Sequence, residues 1–165
     1  MFIAKKLRQE NVCEYLLYMW QIEDLIRALG LDMDRINDQI IKTYPVSEAE
    51  KKELYGWYES LADMMRMENV QEKGHLQLNK NLIIQLNDFH HLLLKSGVDA
   101  GYAAKFYHIL PALSTLRTGL NDSEITDIEL CFNFMYGIMV LRMKKAEISA
   151  QTLQTQAEIT KFLVL

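Results

Sequence analysis

Two spacings in this chain place a carboxylate three residues before a histidine: Glu72-Lys73-Gly74-His75 and Asp88-Phe89-His90-His91. On a helix such a pair shares one side. Di-iron bundles use Glu-x-x-His on two helices, with one glutamate from each of the other two. Both places argue against that chemistry. Gly74 predicts a helix end inside the first motif, and Asp88 with His91 points away from the predicted core. One facing motif does not make a two-metal site, so no metal and no cofactor is expected.

A charge on an apolar helix face is the second signal, because burying an ion is costly unless it is paired. Val12, Leu16, Met19, Ile22, Ile26 and Leu29 form one broad stripe, Glu23 projects from within it, and Arg27 borders it one turn later. Glu68 continues the stripe of Leu54, Trp57, Leu61 and Met64 or Met65. Along the face of Leu82, Leu86, Phe89 and Leu93, the polar residues His75, Asn79 and His90 lie on or beside the apolar line. Arg142 projects beside Cys131 and Met135. Glu23, Arg27, Glu68, His75, His90 and Arg142 therefore predict one polar cluster. Within it Glu23 and Arg142 share a network, and Arg27 is the nearer partner of Glu23 in the favourable i,i+4 order. Such a cluster is either a salt-bridge network that fixes helix register or the lining of a pocket between helices.

The elements that position these residues follow from the punctuation. A first helix is predicted from about Ala4 to Leu29 with Gly30 as its left-handed stop, then a short one from Asp34 to Thr43 ended by Tyr44-Pro45. Ser47-Glu48-Ala49-Glu50 is a capping box that opens a third helix to about Glu72. A fourth spans His75 to Lys95 before Gly97. Asp99 caps a fifth to about Thr118, which Pro111 must kink or split and Gly119 ends. Asn121, Asp122 or Ser123 caps a sixth to about Lys145, and Ser149 caps the last. No alternating strand pattern of useful length is present. Short connections between long helices predict an all-α, single-domain antiparallel bundle of six to seven helices.

Composition narrows the function classes. The 165 residues are half hydrophobic, and 18 Lys and Arg against 22 Asp and Glu give a net charge of −4. Binding to nucleic acid draws on many phosphate contacts, so that balance predicts no nucleic-acid partner. Glu10, Asn11 and Glu14 interrupt any signal-peptide core, and no uncharged stretch nears the roughly 20 residues of a membrane span. Cys13 and Cys131 stand far apart without a CxxC pattern, which fits reduced thiols in the cytoplasm. There is no GxGxxG, no phosphate loop of the Walker type and no GxSxG.

Several rarer groupings carry a resemblance. Leu16-Leu17-Tyr18-Met19-Trp20-Gln21-Ile22-Glu23-Asp24-Leu25-Ile26-Arg27-Ala28, Gly74-His75-Leu76-Gln77, Met135-Tyr136-Gly137, Leu141-Arg142 and Ile148-Ser149 span almost the whole chain. On these the chain resembles a small bacterial protein family, a domain of unknown function. The resemblance implies a compact helical protein and supplies no activity, cofactor or site residue. The functional expectation is a noncatalytic interaction or regulatory protein, as a homodimer or with a protein partner. Its alternatives are a small-molecule-binding bundle that uses the polar cluster and, last, a metal-dependent enzyme.

Overall fold

Asn11 divides what the sequence presents as one long first helix. Its backbone is extended (φ −156°, ψ 103°), and its carboxamide oxygen accepts from the N–H groups of Cys13 and Glu14 at 3.0 and 3.2 Å. Asparagine offers the chain a cap in place of continued helix, so α1 (Phe2–Glu10) and α2 (Val12–Ala28) are separate elements. The computed structural model describes residues 2–120 and 122–163. After α2 come α3 (Met33–Gln39), a 3-10 turn (Ile41–Thr43), α4 (Glu48–Met67), α5 (Gln77–Ser96), α6 (Ala100–Leu120), α7 (Asp127–Met143) and α8 (Ala150–Leu163). The described residues are thus all-α, with eight α-helices where six or seven were expected, and no strand among them.

Helices α2 and α4 end by the same device. Leu31 N–H reaches back to Ile26 C=O at 3.0 Å and Gly30 N–H to Arg27 C=O at 2.9 Å. After α4, Val70 and Asn69 repeat this to Met65 and Arg66 at 3.0 and 3.2 Å. The pivot residues Gly30 and Asn69 both have left-handed φ, and the apolar residue that follows each, Leu31 or Val70, is buried. Asparagine tolerates that backbone better than most residues, so Asn69 stops α4 five residues short of the predicted end at Glu72.

Other boundaries were placed as expected or moved for identifiable reasons. The Ser47–Glu50 capping box is present, and Asp99 and Ser149 accept from the N–H groups of Tyr102 and Thr152. Pro111 does not split α6, and Gly119 does not end it. Proline removes one N–H donor, but neighbouring turns on either side hold the helix. Thr126 caps α7 through Glu129 N–H at 3.2 Å, so the helix starts later than Asp122 or Ser123 would place it. Asn121 lies outside the described residues.

The chain divides into two compact units, Met1–Lys80 and Asn81–Leu165. In the first, α2 packs on α1 and α4, and α4 also meets α3. Its core includes Leu16, Met19, Ile26, Leu54, Leu61 and Met65. In the second, α6, α7 and α8 pack on one another, with Phe106, Ile109, Leu113, Phe132, Ile159 and Phe162 buried. No helix among the described residues is long and apolar enough to cross a membrane. Because Asn11 satisfies two donors that the break exposes, Asn11→Ala should lower stability by about 1 kcal/mol in urea denaturation. No loss, or a gain, would mean that α1 and α2 prefer to be continuous.

Candidate functional site at the start of α5

The start of α5 lacks the Ser, Thr, Asp or Asn that normally caps a helix; the residue in that position is Leu76. Two glutamates from other elements supply the missing acceptors. Glu23 of α2 accepts from Leu76 N–H at 3.0 Å, and Glu68, just past α4, accepts from Gln77 N–H at 2.7 Å. Negative charge at a helix N-terminus also meets the positive end of its dipole.

Glu23 is only 1% exposed, and two more donors converge on it. Asn79 Nδ2 donates to the same oxygen as Leu76 at 2.7 Å, while His75 Nδ1 lies 2.7 Å from the other oxygen. A carboxylate can only accept, so this contact places an imidazole proton on Nδ1. Trp20 stacks on the imidazole at 4.0 Å with a 14° interplanar angle, which fixes the ring plane. A histidine oriented by a buried carboxylate is the arrangement found behind general bases and metal-bound imidazoles. Among the described residues, however, no three metal-ligating side chains come together.

Arg27 is not the partner of Glu23. Its Nη1 pairs with Asp24 at 2.8 Å, its Nε and Nη2 donate to Val70 C=O at 3.2 and 3.1 Å, and Nη2 also donates to Gly74 C=O. The planar fork matches two backbone carbonyls that the irregular segment between α4 and α5 leaves without helical partners. Glu23, Arg27, Glu68 and His75 are therefore brought together, as a clamp on that segment. Glu72, the carboxylate of the Glu-x-x-His spacing, is exposed.

The other two members of the predicted cluster lie in the second unit. Arg142 is exposed and donates to Gln156 at 2.7 Å, so it does not interrupt an apolar face as expected. His90 is buried, with Nδ1 2.6 Å from the Tyr102 hydroxyl and the rings of Phe106 and Phe162 edge-on at 4.5 and 5.8 Å. Burial, then the neighbouring His91, holds its pKa below the usual value, against a smaller opposing pull from Asp127. The sequence reading missed Asn79 as a site residue and missed Trp20, whose signal was its place one turn before Glu23 on the same stripe. It also missed the tyrosines Tyr18, Tyr44 and Tyr58, where burial and mutual proximity raise the Tyr18 and Tyr58 pKa values.

The whole chain, residues 1–165, matches the family described as Domain of unknown function (DUF4924). The chain belongs to this family. No curated protein and no solved structure matches it. The match spans both units, so the Glu23 clamp and the His90 box each lie within the DUF4924 region.

Two outcomes follow. Glu23→Ala leaves Leu76 N–H and the Asn79 amide buried without their acceptor, and should cost about 3 kcal/mol in urea denaturation. Arg142→Ala, at an exposed position, should stay within about 0.5 kcal/mol. Equal effects would remove Glu23 from the centre of the site. For His90 the folded-state pKa is depressed, so the unfolded chain takes up its proton first. Stability is then unaffected above about pH 6.5 and falls as pH drops below that value towards the folded pKa. His90→Gln should reduce the loss measured between pH 7 and pH 5; an unchanged slope would show that other groups govern it.

Proposed function

We propose that this DUF4924 chain is a noncatalytic interaction protein that acts as a homodimer, pairing through the outward face of α5. The observation that carries this is the sidedness of α5. Within the second unit its buried residues are Ile83 and His90, whereas on the expected buried face Leu82, Leu86 and Leu93 are half-buried and Phe89 is 56% exposed. At about 100° per residue, Ile84 and Leu92 fall roughly 120° and 200° from His90, away from its buried side. They are 53% and 60% exposed. Large apolar residues gathered on one exposed face mark an interaction surface.

The face is also complementary to itself. Asp88 and Lys95 are exposed one heptad apart on the same line, flanking Leu92. A two-fold axis between positions 91 and 92 sets Asp88 against Lys95 of the second copy, twice, with Leu92 near the centre. Such isologous contact is the commonest route to a dimer. The Glu23 clamp supports a noncatalytic role, because its oxygens are already taken by backbone and side-chain donors of the fold. Short connections between α6, α7 and α8 support antiparallel packing of neighbours within their unit. Burial and then Glu14 push the Cys13 thiol up to about 11, which supports an inert thiol in a bacterial cytoplasm.

Sedimentation equilibrium tests the proposal. Wild type should be dimeric at micromolar concentration, and Leu92→Asp should weaken the dimer at least tenfold, about 1.4 kcal/mol. Asp88→Lys should weaken it too, and adding Lys95→Asp should restore part of the loss. A monomeric wild type, or a Leu92→Asp protein as dimeric as wild type, would overturn it.

A further inference from the structure

In the second unit a cleft of about 340 Å³ opens between α6 and α7. Leu116 and Leu120 supply one wall and Leu130 and Phe134 the other, each pair four residues apart and so on one face of its helix. Among the described residues Thr115 and Asn133 are its polar groups, and none of those that line it is charged. The Thr115 hydroxyl already donates to Pro111 C=O at 3.1 Å, so the Asn133 amide is the group that offers both a donor and an acceptor.

Gly119 completes the α6 wall. Glycine inside a helix costs roughly 0.5–1 kcal/mol relative to alanine, and a reason is normally found in a left-handed backbone or a close neighbour. Neither holds here. Gly119 has no positive φ, and a Cβ built on it would meet nothing within 4 Å. Gly56 and Gly137 share that open space, but neither lines this cleft. At position 119 the wall of the cleft therefore carries no side chain.

We propose that this cleft is a binding site for an uncharged aromatic small molecule bearing a carboxamide-like group, with the ring between Leu120 and Phe134 and the polar group on Asn133. Ligand sites are mostly apolar concavities of about 300–1,000 Å³ with a few convergent polar groups, and a volume near the lower limit suits one or two rings. Absence of lining charge excludes ions, since nothing would repay their desolvation. The site is separate from the outward face of α5 and stands whether or not the chain dimerises.

Naphthalene-2-carboxamide and naphthalene are the probes, titrated by NMR. The carboxamide should bind wild type saturably with a Kd below about 1 mM, shifting the amides of residues 115–120 and 130–134. Gly119→Leu fills the space and improves helix propensity, so it should weaken binding at least tenfold while Tm holds or rises. Asn133→Leu keeps the apolar volume and should weaken the carboxamide several-fold with naphthalene little changed. No saturable binding by wild type, or Gly119→Leu binding within twofold of it, would overturn the site. Asn133→Leu affecting both probes equally, or neither, would overturn the role of the amide.

Discussion

One buried carboxylate governs how the fourth and fifth helices are joined. A charge that is 1% exposed persists only if its lone pairs are filled, and Glu23 fills them with Leu76 N–H, Asn79 and His75. That demand fixes which side of α5 turns inward at its first turn, because Asn79 must face α2. Within the second unit, His90 of α5 is buried while Ile84 and Leu92 of the same helix are exposed.

The fold class was legible because helix periodicity, capping boxes and glycine stops are local signals, and Ser47, Asp99 and Ser149 act as their positions predict. Glu23 was legible for a related reason: a carboxylate inside the stripe of Leu16, Met19 and Ile26 is anomalous in sequence alone. Its partners were not, since Leu76 and Asn79 lie 53 and 56 residues away and nothing local pairs them. Assigning Arg27 to Glu23 failed because the i,i+4 rule describes exposed helix surfaces. Here the guanidinium had backbone carbonyls within reach.

The face of α5 was misread by assuming that apolar residues choose the inward side. Hydrophobic burial contributes about 25 cal/mol per Å², so Phe89 and Leu92 would ordinarily win. His90 is buried nevertheless, with the Tyr102 hydroxyl 2.6 Å from its Nδ1, and Phe89 and Leu92 stay more than half exposed. Asn11 and Asn69 taught the same lesson at smaller scale: each ended a helix that its apolar stripe would have continued.

The Arg27 clamp has a consequence for how the first unit is assembled during folding. Helices joined by a short turn with its own hydrogen bonds can zip up locally, as a hairpin with little loop to close. The α4–α5 connection does this only in part: Glu68 meets Gln77 N–H locally, but the carbonyl of Val70, Leu76 N–H and the Asn79 amide are met from α2, across sequence separations of 43 to 56 residues. Contacts of that range slow a search in which loop-closure entropy is spent before any contact repays it. Docking of α2 before α5 forms supplies the acceptor for Leu76 N–H in advance. On the ribosome that order is natural, since α2 emerges well before residue 76.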